Sequence, residues 1–153
     1  MNTPVNYKLA KLLKEKGFSW ECSHFYCKSK NDKKFYLTTG TEYESDRDCI
    51  WDWNLNGGKS GTLSKTIPYP NDKNAIYYSA PTIAEVVMWL YEKHGLWTNV
   101  VYMGFELKYS WSIDIVTTSG SHWDSYGEEG DICYNSPTEA YLAAIEYTLT
   151  KLI

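Results

Sequence analysis

No apolar run in this 153-residue chain approaches the roughly 20 residues that a helix needs to span a bilayer. The first residues, MNTPVNYKLAKLLKEKG, also lack the apolar core of a secretory signal. We therefore expect an intracellular, cytoplasmic protein with no membrane partner and with reduced cysteines. The chain also has no excess of basic residues over acidic ones. The net charge of −4 argues against a broad electrostatic grip on DNA or RNA, so we expect no direct nucleic-acid partner.

The glycine-rich stretch NLNGGKSG, residues 54–61, looks like a phosphate-binding loop but lacks its first glycine. Such a loop needs Gly, four residues and then Gly-Lys-Ser/Thr, so that backbone N–H groups surround the phosphates. Trp53 occupies the position of that first glycine. The chain also has no G-x-S-x-G and no H-E-x-x-H motif. We therefore predict a glycine-rich turn here, and the motifs indicate no catalytic residues and no cofactor.

Aromatic residues are abundant in this chain. Seven Trp, fourteen Tyr and four Phe make up 16% of it, beside 43% hydrophobic and 22% charged residues. This composition indicates one globular domain over residues 1–153. Aromatic side chains are common in strands. The rings exceed what one small core needs, so we expect some of them to be exposed.

Apolar periodicity and capping residues predict three helices. The first spans residues 4–16, the second begins at PTIAE and the third begins at SPTEA. The predicted caps and stops are Thr3, Gly17, Thr82 with Glu85, Gly95, and Ser136 with Glu139. The predicted buried stripes are Val5, Leu9, Leu12 and Leu13 in the first helix, Ile83, Val86, Val87, Leu90 and Tyr91 in the second, and Tyr141, Leu142, Ile145, Leu149 and Ile153 in the third.

Alternation of apolar and polar residues predicts strands at 97–103 and 107–115, which form one hairpin. FSWECSHFYC and KKFYLTTG form a second candidate hairpin, CIWDWNL is a shorter candidate strand, and residues 57–74 and 119–135 are candidate loops. The predicted class is α+β, with three helices on an antiparallel sheet of about four to five strands.

The order helix, glycine, strand, turn, strand occurs twice. A duplicated αββ unit plus a C-terminal helix is one interpretation, and two ordinary helix endings are the other.

Cysteine and histidine offer one metal-ligating pattern. Cys22, His24 and Cys27, with the distant Cys49, have the residue types for tetrahedral zinc. Their spacing is not a paired C-x-x-C knuckle, and alternation along a strand would put Cys22 and His24 on one face and Cys27 on the other. The alternative, which the spacing favours, is buried structural cysteines. His94 ends the second predicted helix, where a positive charge would complement the helix dipole.

Acidic residues recur at every second position in TEYESDRDC. If extended, Glu42, Glu44, Asp46 and Asp48 line one edge of the chain with carboxylates. The interpretations, in order of preference, are a solvated acidic loop, a nucleic-acid mimic that meets a basic groove, and a calcium loop. The calcium pattern needs glycine at its sixth position, where Arg47 stands.

Two tryptophans precede the glycine-rich turn. On a strand, Trp51 and Trp53 share a face and could stack on the ring of a ligand, with Asp52 and Asn54 as nearby polar groups. Lys59 could pair with a phosphate. Trp123 could add a third ring. The alternative is that Trp51 and Trp53 are core residues.

A hydrolytic site would have to come from SHWDSYGEEGD, where His122 and Asp124 supply a base and a carboxylate. No motif fixes a nucleophile beside them. A flexible acidic loop is the preferred interpretation of this segment.

Three blocks, GFSWECSHFYCKSK, YSAPTIAEVVMWLYEKHGL and YNSPTEAYLAAIEYTLTKLI, resemble a known family. The chain is similar to small uncharacterised proteins encoded by phages, prophages and mobile elements of gut bacteria. The resemblance implies a compact α+β domain and brings no catalytic residues, because the matching blocks are helix caps and core stripes.

The leading hypothesis is a non-enzymatic accessory protein that binds a host protein through acidic and aromatic loops. That host protein could be a defence or nucleic-acid-handling factor. The alternatives are a protein that sequesters a small nucleotide-like ligand, and a hydrolase.

Overall fold

The computed structural model describes residues 1–29, 31–39, 54, 74–104, 107–116, 125–127 and 133–153. The chain divides into two compact units. The first unit is Thr3–Thr82, and the second is Ile83–Ile153 together with Met1–Asn2. Each unit is described below by itself.

The first unit contains one helix and a three-stranded antiparallel sheet in its described residues. The elements are α1 (Tyr7–Glu15), β1 (His24–Lys28), β2 (Tyr36–Thr39) and β3 (Ile76–Ser79). The strand order is β2-β1-β3, with Tyr26 of β1 opposite Leu37 of β2 and Tyr78 of β3. The predicted pairing of β1 with β2 is therefore confirmed, and β3 joins the other side of β1 without having been predicted.

Helix α1 is shorter at its start than the sequence predicts. Asn6 is its N-cap, and the Asn6 Oδ1 atom accepts a hydrogen bond from Leu9 N at 3.0 Å. Pro4, which was expected in the first turn, forms an antiparallel bridge with Thr82 instead. An asparagine side chain satisfies a free N–H of the first turn, so the helix starts after it. Gly17 ends the helix with a φ of 80°, as predicted.

The second unit contains two helices and a second antiparallel sheet in its described residues. The elements are α2 (Ile83–His94), β4 (Leu96–Met103), β5 (Lys108–Ile115), β6 (Ser125–Gly127) and α3 (Pro137–Tyr147), which continues as a π-helical turn (Thr148–Leu152). The strand order is β4-β5-β6, and the hairpin of β4 and β5 was predicted. Helix α3 packs on β4 and β5, and α2 packs on β4.

The predicted start of α3 and the predicted glycine at the end of α2 are confirmed. Ser136 is the N-cap of α3, and its Oγ accepts a hydrogen bond from Glu139 N at 3.2 Å. Glu139 Oε2 accepts from Asn135 N at 3.1 Å. Gly95 follows α2 with a φ of 66°, which an L-residue with a side chain rarely adopts. The Gly95 oxygen then accepts a hydrogen bond from Val116 N at 2.7 Å, which joins the start of β4 to the end of β5.

The α+β class and the three predicted helices are confirmed in the described residues. The strands form two sheets where the sequence predicted one. Both units begin with a helix and continue with a hairpin, as the duplicated-unit interpretation has it. In the first unit the third strand, β3, pairs with β1, the first strand of the hairpin. In the second unit the third strand, β6, pairs with β5, the second strand of the hairpin. The two sheets therefore differ in topology.

The predicted burial patterns need correction in all three helices. Leu12 was expected in the buried stripe of α1 but is half-buried. Tyr91 was expected in the buried stripe of α2, but it is 40% exposed, and Trp89 is buried in that helix instead. In α3 and its extension, Ile145 and Leu149 are buried as predicted, Ile153 is half-buried, and Ala140, Ala144 and Thr148 are buried as well. Small side chains let this helix lie close to the sheet, which leaves Tyr141 and Leu142 at its margins, half-buried.

Across the described ranges, no helix combines the length and the apolar character that crossing a membrane requires.

Candidate functional site

The site residues predicted from the sequence lie outside the described residues. They are Trp51, Trp53, Lys59 and Trp123 for a ligand, and Glu42, Glu44, Asp46 and Asp48 for a partner. His122 and Asp124 of the hydrolase alternative are outside as well. These predictions stay predictions.

Asn54 is the one described residue of the predicted strand CIWDWNL, and its backbone is helical. Its side chain makes two hydrogen bonds to the backbone of the first unit. Asn54 Nδ2 donates to Phe18 O at 2.9 Å, and Asn54 Oδ1 accepts from Ser79 N at 3.1 Å. Because these bonds engage both ends of the amide, Asn54 has a structural role rather than the ligand-binding role expected beside Trp51 and Trp53.

The predicted burial of the cysteines is confirmed for Cys22 and Cys27, which share an apolar cluster with Phe25 and Tyr77. Strand β1 begins only at His24, so strand alternation does not place Cys22 beside His24 as expected. His24 lies on the opposite face of β1 from Cys27. Burial raises the pKa of the Cys27 thiol to about 11, and the nearby Asp32 carboxylate adds to the rise. A protonated thiol is a poor metal ligand.

No group of three potential metal-ligating side chains comes together within the part of the chain that the structure describes. Cys49, the fourth candidate ligand, lies outside that part.

One serine–histidine contact occurs at the start of β1. Ser23 Oγ lies 2.9 Å from His24 Nδ1. A catalytic pair also needs a third group that orients the histidine and donors that stabilise an oxyanion. The two residues are adjacent in sequence, so a local turn accounts for the contact, and we assign it no catalytic role.

His94 is not the helix-capping cation that its position suggested. Burial lowers the pKa of His94, and the neighbouring Lys93 charge lowers it further. The imidazole packs edge-to-face on Trp89, with ring centroids 4.8 Å apart. Its Nε2 atom is buried and has no hydrogen-bond partner in the described residues. The neutral form is therefore favoured, which makes His94 a packing residue.

The second unit has a surface on α2 and β4 made of four exposed large apolar side chains and one half-buried asparagine, which we call the Trp97 surface. It consists of Met88, Tyr91, Trp97, Asn99 and Val101. Met88 and Tyr91 are one turn apart on the same side of α2. Trp97, Asn99 and Val101 alternate on the outer side of β4, while Leu96 and Thr98 are buried on the inner side.

Contacts among the residues of the Trp97 surface fix their orientation. The Tyr91 and Trp97 rings meet edge-to-face, with centroids 5.5 Å apart and an angle of 84° between their planes. Trp97 Nε1 donates a hydrogen bond to Asn99 Oδ1 at 3.0 Å. Asn99 Nδ2 donates to Asp114 Oδ2 of the neighbouring strand at 2.6 Å. The exposed indole is therefore held by a ring on one side and by a chain of two hydrogen bonds on the other.

Sequence reasoning did not find this surface. Tyr91 was assigned to the core because it fits a helical stripe, and Trp97 was read only as the start of a strand. The alternation of Trp97, Asn99 and Val101 against Leu96 and Thr98 was the signal that could have located it.

Comparisons with protein-family models, with curated proteins and with solved structures find no match to this chain.

Proposed function

We propose that this chain acts by binding rather than by catalysis, and that it binds a protein partner through the Trp97 surface. The observation that supports the proposal most directly is the exposure of four large apolar side chains, of which Tyr91 and Trp97 are held by contact with each other and by the hydrogen bond of Trp97 to Asn99. Met88 and Tyr91 are each 40% exposed, Trp97 is 37% exposed and Val101 is 53% exposed.

The residue types of the Trp97 surface are those that protein interfaces favour. Tyrosine, tryptophan and methionine are enriched in interfaces, and tryptophan and tyrosine are frequent among the residues that dominate binding energy. Trp97 and Tyr91 already contact each other, and Trp97 is hydrogen-bonded to Asn99. Because these side chains are already held in place, binding a partner would cost less side-chain entropy than it would if they rotated freely.

The charge of the second unit indicates the character of the partner. Residues 83–153 contain ten acidic residues against three lysines. Glu92, next to Tyr91, is exposed. A field of this sign steers basic surfaces toward the unit and disfavours acidic ones. The partner that fits is therefore a protein with an apolar contact patch inside a basic surface.

The biological setting is also a proposal, and it rests on the resemblance of three sequence blocks to proteins of phages and mobile elements. In that setting the chain is an accessory protein in the cytoplasm of a bacterial host. Proteins that handle nucleic acid carry basic surfaces, so a host factor of this kind, including a defence factor, fits the acidic unit. The acidic run from Glu42 to Asp48 would add to the same attraction.

A quantitative capture experiment tests the role of the Trp97 surface. Wild type, Trp97→Ser and Tyr91→Ser are immobilised and exposed to host lysate, and bound proteins are quantified. Tyr36→Ser is the matched control, because Tyr36 is 45% exposed in the first unit and undergoes the same replacement. Thermal unfolding confirms that each variant is folded.

We expect at least one basic protein to be retained by wild type and Tyr36→Ser and to be reduced ten-fold or more by Trp97→Ser and Tyr91→Ser. A loss of 1.4 kcal/mol or more per truncated residue would produce this change. If no protein is retained, or if all three variants retain it equally, the Trp97 surface is not the binding surface.

A further inference from the structure

One face of the sheet in the first unit carries a cluster of four aromatic rings, which are half-buried. Tyr26 of β1 and Tyr78 of β3 are direct cross-strand partners. Tyr7 of α1 meets both rings edge-to-face, with centroids 5.6 Å away in each case. Phe35 stacks on Tyr7 at 4.5 Å with an angle of 22° between the planes. The result is a continuous aromatic surface made by a helix, two strands and the residue before β2.

This cluster is separate from the apolar core of the sheet. The opposite face buries Phe25, Cys27 and Tyr77. On the aromatic side, Leu37 pairs with Tyr26 and is 47% exposed, and Ile76 pairs with Lys28 and is 44% exposed. Apolar side chains thus extend to both edges of a face that is partly open to solvent.

Two lysines place their ammonium groups over these rings. Lys14 Nζ lies 5.0 Å from the centroid of Tyr78 and donates a hydrogen bond to Tyr77 O at 3.1 Å. Lys28 Nζ lies 5.5 Å from the centroid of Phe35. We call the set of Tyr7, Lys14, Tyr26, Lys28, Phe35 and Tyr78 the aromatic–lysine face. Its charged groups are the two lysine ammonium groups, which lie over ring surfaces.

The charge of the surrounding segment has the same sign. Residues 3–39 contain eight lysines against three acidic residues, and the whole first unit, residues 3–82, contains twelve basic residues against nine acidic ones, whereas residues 83–153 are strongly acidic. The net charge of −4 for the whole chain therefore conceals a basic segment. We based the expectation of no nucleic-acid partner on the net charge of the whole chain, which does not show how charge is distributed along it.

The geometry argues against a site for a cationic ligand. Aromatic cages for methylated ammonium groups need space between their rings. Here the rings are in contact, with centroids 4.5 to 5.6 Å apart among Tyr7, Phe35, Tyr26 and Tyr78. The chain's own Lys14 and Lys28 already occupy positions over two of the rings. The ligand that fits is an anion with planar apolar groups.

We propose that the aromatic–lysine face binds single-stranded nucleic acid, with phosphates beside Lys14 and Lys28 and bases against the exposed parts of the rings. Stacking of bases on aromatic side chains, combined with a basic surface along the backbone, is how proteins bind single strands without sequence preference. The proposal is independent of the Trp97 surface and goes beyond the protein partner proposed for it.

An acidic protein is the competing occupant, and the residue types favour the nucleic acid. Carboxylates are recognised best by the two-pronged guanidinium of arginine, whereas lysine acts as a point charge that suits phosphate. Residues 3–39 contain no arginine. The exposed ring area would also be used by bases along a single strand, while a duplex keeps its bases stacked inside.

The test is a fluorescence anisotropy titration of the full chain with labelled twelve-nucleotide dT and U oligomers between 50 and 200 mM salt. We expect dissociation constants in the range of about 10⁻⁴ to 10⁻⁶ M, typical of non-specific binding. The Lys14→Gln/Lys28→Gln variant should bind about ten-fold more weakly, and its salt slope should fall by about 1.4 because two phosphate contacts are lost. The matched control is Lys93→Gln/Lys151→Gln, which removes the same charge from exposed positions in the second unit and should change affinity less than two-fold.

A ring variant separates stacking from charge. Tyr26→Leu keeps an apolar side chain and leaves the charge unchanged, and no lysine of the described residues lies over the Tyr26 ring. We expect affinity to fall about five-fold or more because a stacked base contributes about 1 kcal/mol or more. Thermal unfolding verifies that this variant and the Lys14→Gln/Lys28→Gln variant remain folded. Trp97→Ser should bind the oligomers as wild type does, which separates this result from the test of the protein-binding surface.

Three outcomes would overturn the proposal. The first is no binding of either oligomer at 100 µM protein in 50 mM salt. The second is an equal effect of the Lys14→Gln/Lys28→Gln and Lys93→Gln/Lys151→Gln variants. The third is that polyglutamate displaces the dT oligomer as well as unlabelled dT does at equal charge concentration, which would identify an acidic protein as the better occupant.

Discussion

Asn99 Nδ2 donates a 2.6 Å hydrogen bond to Asp114 Oδ2 across the β4–β5 pair. Asn99 Oδ1 accepts from the indole of Trp97 on the same strand. One amide therefore joins a carboxylate and an exposed aromatic ring on the outer side of the sheet. Hydrogen bonds to a charged group are stronger than neutral ones, so Asn99 is firmly held by Asp114 and, together with the Tyr91 ring, orients Trp97.

Asn99→Ala should lower the free energy of unfolding by about 1 kcal/mol, because it removes two side-chain hydrogen bonds at a half-buried position. It should also weaken partner capture through the Trp97 surface, since the indole is no longer held. Urea unfolding measures the first effect. Asn135→Ala is the control, because the Asn135 side chain is exposed, and it should change stability by less than about 0.5 kcal/mol. Equal stability of Asn99→Ala and wild type would contradict the prediction.

Gly95→Ala should destabilise the protein by about 2 kcal/mol. Its φ of 66° is costly for a residue with a side chain, and an added Cβ would lie 3.1 Å from the backbone oxygen of Val116. Gly17 has a φ of 80°, but a Cβ added there would have no atom within 4 Å. Gly17→Ala should therefore lower the free energy of unfolding by only about 1 kcal/mol. A Cβ added at Gly104 would have Tyr102 Cε1 as its nearest neighbour, at 3.8 Å. The free energy of unfolding of Gly104→Ala should therefore be within about 0.5 kcal/mol of the wild-type value. Chemical denaturation of the three variants checks this order, and a Gly95→Ala effect no larger than that of Gly17→Ala would refute the contact with Val116.

The partly buried imidazole of His94 should make the protein less stable in mild acid. Its pKa is lowered in the folded state, so the unfolded chain takes up a proton first, near the usual value of about 6.5. The free energy of unfolding should therefore fall as the pH decreases from 7 to 5. His94→Phe should retain the packing on Trp89 and show a smaller slope over this range. Parallel slopes for the two proteins, measured by urea unfolding at several pH values, would show that another group is responsible.

Cys22 and Cys27 should be almost unreactive in the folded protein. In a Cys49→Ser/Cys133→Ser background they are the remaining thiols, and both are buried. Burial also raises the pKa of Cys27 to about 11, so at pH 8 the reactive thiolate is scarce. We expect labelling by a thiol reagent at pH 8 to be at least 100-fold slower in native buffer than in guanidinium. Rapid labelling of both thiols without denaturant would show that the cluster with Phe25 and Tyr77 opens readily.

The raised pKa of the Cys27 thiol also predicts how the free energy of unfolding depends on alkaline pH. Because the pKa of Cys27 is higher in the folded state, the unfolded chain loses its proton first as the pH rises above about 8.5. The free energy of unfolding should then fall with rising pH up to about 11. A Cys27→Ala variant should lack this part of the dependence, even if the substitution lowers stability at neutral pH. A difference between the two proteins that stays constant from pH 8 to 11 would exclude a contribution from Cys27.

Several features of this protein were determined by the sequence alone because their causes are local. Ser136 with Glu139 marks the start of α3, Gly17 and Gly95 end the first two helices, and strict alternation identifies β5. Capping, left-handed backbone and strand periodicity each act over a few neighbouring residues, so a short segment contains the whole signal. These signals were enough to predict the α+β class and both hairpins.

Tertiary structure alone decided which aromatic residues face solvent. Tyr91 fits the buried stripe of α2, and Tyr7 lies on the side of α1 that meets Tyr26 and Tyr78, so nothing local distinguishes them from core residues. Whether a ring is buried depends on which element packs against it, and in this chain the strands form two sheets, each with its own covered and open faces. The uneven charge, with lysines concentrated in residues 3–39 and acidic residues in 83–153, can be read from the sequence itself. The two proposed binding surfaces depend on which elements pack together, because the burial of a side chain is a property of packed elements and not of neighbouring residues in the chain.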